Sequence, residues 1–198
     1  MKATDYYHNI KKKWELEYPS SNSLDQVWDF YLECGYTEPK KLLGSILDKV
    51  KWKKNRMLDY GCDNGLMLDF ICNKYPVSGF GVDINEASIN SAKKNLPQYN
   101  FRTIDGINIP YDDKYFDLVF ISAVVKHIRY EDRVSFYNEI KRVADQVFII
   151  EIDAKKKEIY PYESWKFYYS NFEEEFAQHF KPIVTHHEAG DILGLYEV

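Results

Sequence analysis

Cysteine is scarce in this chain, and the three present, Cys34, Cys62 and Cys72, form no CxxC pair and no metal-ligand spacing. An odd, unclustered set excludes a disulfide framework and a structural zinc site, and it suits a reducing compartment. No apolar run approaches membrane-spanning length. The start of the chain has no apolar leader either, being interrupted by Asp5 and by Lys11, Lys12 and Lys13. These absences lead us to expect a cytoplasmic protein with no membrane partner. Positive charge is not in excess: the net charge is -5 and the pI is near 5.6, which counts against a broad phosphate-binding surface and so against nucleic acid. Repeats and low-complexity linkers are missing too. With 198 residues, 45% apolar and 17% aromatic, the expectation is one domain over 1–198 around one substantial core.

What is present centres on residues 57–68, Met-Leu-Asp-Tyr-Gly-Cys-Asp-Asn-Gly-Leu-Met-Leu. Short apolar residues lead into an acid and then two glycines. Met67, Phe70 and Ile71 follow at helical spacing, so the stretch reads as strand, tight turn, helix. Such a turn lets backbone N–H groups approach a ligand, and the helix behind it directs its positive end at the same place.

Residues 1–54 are expected to supply N-terminal helices. Tyr6, Tyr7, His8 and Trp14 form an aromatic leader that can fold over a ligand site as a lid. Ser23 and Gln26 make a capping box, which predicts a helix with Leu24, Val27, Trp28, Tyr31 and Leu32 on one face, stopped by Gly35. A second helix begins near Pro39, with Leu42, Leu43, Ile46, Leu47 and Val50 as its buried stripe. The basic residues of 51–56 read as a solvated approach to the first strand.

From residue 55 strands and helices alternate, the signature of a mainly parallel sheet covered by helices. Strands are predicted at 78–83, 99–103, 116–122 and 147–152, with helices at 85–95 and around Val134, Tyr137, Ile140 and Ala144. The nearly all-apolar 116–122 should be central. Residues 154–180 are crowded with aromatics. Beyond them 182–187 and 192–198 read as a closing antiparallel hairpin around a turn containing Gly190 and Asp191.

Ligands of open α/β sheets bind beyond the carboxyl ends of the strands. Asp83 ends the second strand, where a carboxylate can accept hydrogen bonds from both hydroxyls of a ribose. Asp105 follows the third strand beside Gly106, where an acceptor next to a bare backbone N–H can read an adenine edge. Either acid alone would be an ordinary loop or cap residue. At the ends of three consecutive strands they point together to a nucleoside-like ligand.

The ordered set Leu58-Asp59-Tyr60-Gly61-Cys62-Asp63-Asn64-Gly65, Gly81-Val82-Asp83, Asp105-Gly106, Ile109-Pro110-Tyr111-Asp112, Phe116-Asp117-Leu118-Val119 and Val124-Val125-Lys126-His127-Ile128 resembles the class I S-adenosylmethionine-dependent methyltransferases, small-molecule type. The resemblance covers 57–128. It implies a Rossmann-like, doubly wound, mostly parallel seven-stranded sheet closed by the C-terminal antiparallel hairpin, with 55–198 as the catalytic core. It also implies S-adenosyl-L-methionine as cofactor. Asp59, Gly61, Cys62, Asp63 and Gly65 would lie along the methionine part, Asp83 and Ile84 at the ribose, Asp105 and Gly106 at the adenine, and Ser122 near the methionine amino group. One position departs from the family pattern: Asp63 stands where glycine is usual. Aspartate tolerates left-handed backbone, and its carboxylate can face the cofactor's ammonium, whereas a weakened site is the competing reading.

Methyl transfer from a sulfonium needs in-line alignment and, for an alcohol or acid, removal of a proton; no metal is required. His127, after the fourth strand, is the candidate general base, with Glu151 and Asp153 behind it. The adjacent His186 and His187 point to opposite strand faces, so no metal is expected there. No Asn/Asp-Pro-Pro-aromatic tetrapeptide follows the fourth strand, which counts against nucleic-acid amino methylation. The expected reaction is methylation of a small polar acceptor, such as a metabolite, sugar or glycan precursor, with oxygen ahead of nitrogen on the strength of His127. The acceptor is expected against the aromatic segment and the N-terminal aromatics. The alternatives are a protein or RNA methyltransferase docking through its basic runs and a non-catalytic methyltransferase-like module.

Overall fold

The computed structural model describes residues 6–7, 20–162 and 165–198. His8 and Trp14 of the expected lid lie outside the described residues. Helix α1 (Leu24–Glu33) starts where the capping box requires: Ser23 accepts the Gln26 N–H at 3.3 Å, and Gln26 Oε1 accepts the Asn22 N–H at 2.7 Å. Its inner face is Trp28 and Tyr31, whereas Leu32, expected inside, is 49% exposed. Helix α2 (Pro39–Leu47) carries Pro39 in its first turn.

Among the described residues nine strands follow: β1 (Arg56–Tyr60), β2 (Ser78–Asp83), β3 (Asn100–Thr103), β4 (Phe116–Ser122), β5 (Ala144–Ile152), β6 (Glu158–Tyr162), β7 (Trp165–Tyr169), β8 (Lys181–Glu188) and β9 (Asp191–Glu197). Between them lie α3 (Leu66–Lys74), α4 (Glu86–Asn95), a 3-10 turn (Val125–His127), α5 (Tyr130–Val143) and α6 (Phe172–His179). Seven strands make one sheet in the order β3-β2-β1-β4-β5-β9-β8. The first five are parallel, with Leu58 beside Phe80 and Val119, and β9 joins antiparallel to both β5 and β8. The expected Rossmann-like sheet with its terminal hairpin is what forms.

Alternation along the strands fills two cores. Leu58, Val119, Ile121 and Val147 pack on one face with Phe136, Ile140, Phe172 and Phe176. Met57, Leu118, Phe120 and Phe148 pack on the other with Leu43, Leu68 and Ile71. Strand β4, in the middle of the order, is buried at six consecutive positions, as its composition predicts, and its neighbour β5 is buried likewise over 146–151.

Three details differ from expectation. The terminal turn is Ala189-Gly190, with φ of 55° and 87°, and Asp191 is the first residue of β9. Two consecutive left-handed residues match the twist of a two-residue hairpin. The aromatic segment folds in part as a separate antiparallel pair, β6 with β7, whose Phe167 and Tyr168 are buried. The helical stripe expected at Val134 is displaced: Val134 is 57% exposed and Arg133 is buried instead.

Arg133 is the cross-brace of this face. Its guanidinium donates to Ser170 Oγ at 2.8 Å, to both oxygens of Glu175 at 2.9 and 3.1 Å, and to the Tyr168 carbonyl, while Tyr137 Oη donates to Glu175 at 2.6 Å. Removing one partner of a buried, hydrogen-bonded ion pair leaves the other charge uncompensated and costs about 3–5 kcal/mol. Arg133→Ala should therefore lose stability on that scale in urea titrations, whereas Val134→Ala should change it little; equal effects would contradict the brace.

Candidate active site

The strand order reverses between β1 and β4, so the carboxyl ends of these two strands frame a topological switch point. The glycine turn sits there. Gly61 has φ 80°, its N–H is donated to the Val82 carbonyl at 2.8 Å, and a Cβ at this position would stand 2.4 Å from Val124. Only a bare residue allows β1 to turn this close to the segment after β4. Asp63 adopts φ 46°, so the left-handed turn survives the departure from glycine.

Asp83 is fixed by two backbone donors, Asp63 N to Oδ2 at 2.9 Å and Asn85 N to Oδ1 at 2.8 Å. Its carboxylate is thereby aimed into a cavity of about 340 Å³ at the switch point, with the other lone pairs open to a ligand. Ile84, Ile104, Gly106 and Ile107 give that cavity an apolar wall beside Asp83, and Gly61, Ser122 and His127 line it elsewhere. A second cavity, of about 550 Å³, shares Ser21, Gly61, Asp63, Ser122 and Ala123 with the first and is also lined by Asp59 and Cys62. Ten of the eleven residues singled out in sequence therefore converge or support one place: Gly65, outside both cavities, closes the turn by donating to the Cys62 carbonyl at 2.8 Å. Asp105 does not converge; its side chain is exposed and only its neighbours face the cavity.

The electrostatics are those of a cation site. Asp59 is 3% exposed, and its Oδ2 has no hydrogen-bond partner among the described residues. Burial first, then the nearby Asp83 and Asp63 carboxylates, push its acid up to about 8. Burial also pushes Asp83 up to about 6 against the pull of its backbone donors. A buried, unpartnered carboxylate oxygen in a crowd of like charge calls for a positive ligand group. His127 is half-buried, 5.1 Å from the Phe167 ring. Burial and, next, Lys126 hold it well below the usual imidazole range, so it is neutral.

Sequence reasoning missed the cover of the site. Ser20 Oγ donates to Asp63 Oδ1 at 2.5 Å and lies 3.2 Å from Ser88 Oγ, Asn64 Nδ2 donates to the Ser21 carbonyl at 2.6 Å, and Tyr31 Oη pairs with Ser122 Oγ at 3.0 Å. Tyr7, from the expected lid, lines the first cavity, and its ring is 3.1 Å from where a Cβ on Gly106 would be. Ala123, in the left-handed region at φ 57°, was legible in no local pattern. Glu151 is buried and bonded to the Lys126 and Ile152 N–H groups rather than free as a base. Asp153 instead caps α6 through the Phe172 N–H, and with Glu173 and His187 it brings donor atoms within 4.8 Å of one another. His187 Nε2 stands 3.7 and 3.5 Å from those two carboxylates on a half-exposed surface.

This sheet order, with a glycine turn at the switch point, Asp59 one residue before the end of β1 and Asp83 ending β2, is the fold of the class I methyltransferases. The comparisons agree. A family model described as a methyltransferase domain matches residues 58–147. Norajmaline N-methyltransferase of Rauvolfia serpentina is 28% identical over 106 residues, 50% of this chain and 36% of its own. The tRNA (carboxymethyluridine(34)-5-O)-methyltransferase of Saccharomyces cerevisiae is 33% identical over 126 residues, 64% of this chain and 39% of its own. Among solved structures, geranyl diphosphate C-methyltransferase of Streptomyces coelicolor, in complex with S-adenosyl-L-homocysteine, superposes with a TM-score of 0.70 over 98% of each chain at 11% identity. The chain therefore carries a match to a methyltransferase domain over residues 58–147 on the fold of the class I S-adenosylmethionine-dependent methyltransferases, and it spans little more than a third of the length of these two curated relatives.

The residues present fit that cofactor. Asp59 offers an unmet oxygen to an ammonium, Gly61 leaves room for a chain to lie against the turn, and Asp83 faces the cavity beside an apolar wall. A positive ligand favours the ionised forms of Asp59 and Asp83, so binding expels protons. Affinity for S-adenosylmethionine should rise as pH rises through about 6 and on through about 8, with proton release seen by calorimetry in buffers of different ionisation enthalpy. The ligand-free protein should behave oppositely. Its Asp59 keeps a proton that the unfolded chain gives up above 3.8, so this group's contribution to stability falls as pH rises toward 8. An affinity independent of pH would contradict the acidic cradle.

Proposed function

We propose that the protein transfers the methyl group of S-adenosylmethionine to a small polar acceptor, and that it does so in the cytoplasm, where its three free cysteines would stay reduced. The observation that carries the reading is Asp83, held by two backbone N–H groups and facing a cavity whose neighbour contains the unmet oxygen of Asp59. The bound cofactor supplies an activated methyl group. The chain's part is alignment and proton removal: Asp83 and the Ile84–Ile107 wall hold the nucleoside, Asp59 and Ser122 the amino-acid end, and Ser20 and Ser21 exclude water above the turn. His127 is a neutral imidazole at the edge of the same cavity, a proton acceptor available at any pH near neutrality. That availability favours an oxygen acceptor, such as the hydroxyl of a metabolite, sugar or glycan precursor.

A macromolecular acceptor finds less support. Two basic residues of 51–56 are used within the fold, Lys51 toward Glu197 at 3.1 Å and Lys54 toward Asp145 at 2.6 Å, and Lys156 of the second basic run meets Glu158 at 3.3 Å. No helix among the described residues is long and apolar enough to cross a membrane. Calorimetry with S-adenosylmethionine tests the reading directly. Binding in the micromolar range is expected for the wild type, with at least a tenfold loss in Asp83→Ala, on the order of 1.4 kcal/mol. His127→Ala should bind the cofactor normally and turn over at least a hundredfold more slowly, as general-base loss typically costs about 10²–10⁴. No binding at millimolar cofactor would defeat the proposal, and unchanged turnover would remove His127 as the base.

A further inference from the structure

The second cavity has an inner end, an acidic wall and a ring-lined mouth. Asp59 and Gly61 form the inner end, next to the cofactor site. At the mouth stand Phe30 and Ile152, which are 63% and 39% exposed, although large apolar side chains elsewhere in the fold are mostly buried. Between them lie Tyr31, Tyr36, Lys126, Glu151 and Asp191.

Lys126 is the only basic side chain lining this cavity among the described residues, and its charge is answered within the wall. Glu151, with a side chain that is wholly buried, lies 3.6 Å from its ammonium and accepts its backbone N–H at 3.0 Å. Asp191 is different. Tyr36 Oη donates to it at 2.7 Å, and a neutral hydroxyl orients a carboxylate without cancelling its charge. Asp63 adds a second carboxylate where the two cavities meet, held by the neutral Ser20. The lining is therefore acidic in balance, one lysine against several carboxylates, and burial raises the acid of Asp191 above its ordinary range against the pull of the Tyr36 hydroxyl and of Lys126. An anion entering here meets like charge on a partly desolvated surface, whereas a cation meets carboxylates and aromatic rings together.

We propose that the second cavity is the acceptor site and that it selects a small organic amine, its ammonium held at Asp191 and its apolar body lodged against Phe30 and Ile152. The proposal rests on the methyl-transfer reading of the adjoining cavity and adds to it the charge and shape of the acceptor. It is compatible with reaction at a hydroxyl near Ser122 and His127 on a molecule whose amino group is the anchor. Asp191 acts here as a specificity-determining residue.

The test uses the full chain saturated with S-adenosylhomocysteine and two probes of like size and opposite charge, phenethylamine and 3-phenylpropionate, titrated by calorimetry. The amine should bind at least tenfold more tightly than the acid. Asp191→Asn should erase most of that preference, and Tyr36→Phe, which keeps the carboxylate, should preserve it. Equal or tighter binding of the acid, binding of neither probe to the loaded protein, or an undiminished preference in a folded Asp191→Asn would overturn the proposal. The wild-type comparison decides even if that variant fails to fold. Failure of S-adenosylhomocysteine itself to bind would strike the cofactor reading, a result visible before either probe is added.

Discussion

Three carboxylates, Asp59, Asp63 and Asp83, are held together at the carboxyl ends of two neighbouring parallel strands, and the site depends on that enforced proximity. Like charges gathered at a partly buried place repel one another and are poorly solvated. The fold tolerates them because backbone donors from Asp63 and Asn85 stabilise one, Ser20 another, and the third is kept protonated by burial. What remains is a site with a standing demand for positive charge. The parallel sheet enforces the geometry: Asp59 and Gly81 are register partners on β1 and β2, so Asp59 and the Asp83 that ends β2 cannot drift apart without breaking the ladder.

The same constraint makes sense of Asp63. A glycine there would serve the turn as well or better, since the residue is left-handed. The aspartate adds a side chain that reaches the segment before α1, and Asn64 adds a second tie from the next position. Residues that in sequence look like a blemish in a glycine turn are, in three dimensions, the attachment of the N-terminal segment to the cofactor loop. The side chains of 20–21 come to line the cavity as a consequence, while Tyr7 is held at it by its own bond to Asp132 at 3.0 Å.

How much could be read in advance follows the range of the interactions. The strands β1, β2 and β4, the glycine turn, Asp83 and the closing hairpin are written locally, in apolar runs that end in an acid or a turn residue, and they fold as the sequence predicts. Interactions that span the chain are not written locally. The Ser20–Asp63 and Tyr31–Ser122 contacts join residues far apart in sequence, and no periodicity marks either partner. Arg133 was hidden for a related reason, since an arginine on a helix reads as surface until the acceptors that satisfy it, on β7, just after it and on α6, are in place. Asp105 runs the other way: its position after a strand suggested a ligand contact, and in the structure its side chain is exposed while Ile104, Gly106 and Ile107 line the cavity. The hairpin of β6 and β7 lay concealed in an aromatic segment with no clean alternation.

The central claim is that the acidic cradle at the switch point receives an adenosyl ligand. A crystal structure of the protein with S-adenosylhomocysteine tests it most directly. The account predicts the ribose hydroxyls on the Asp83 carboxylate, the adenine between Ile84, Gly106 and Ile107, and the amino group within hydrogen-bonding distance of Asp59. Density for the ligand elsewhere, or a ribose turned away from Asp83, would contradict it.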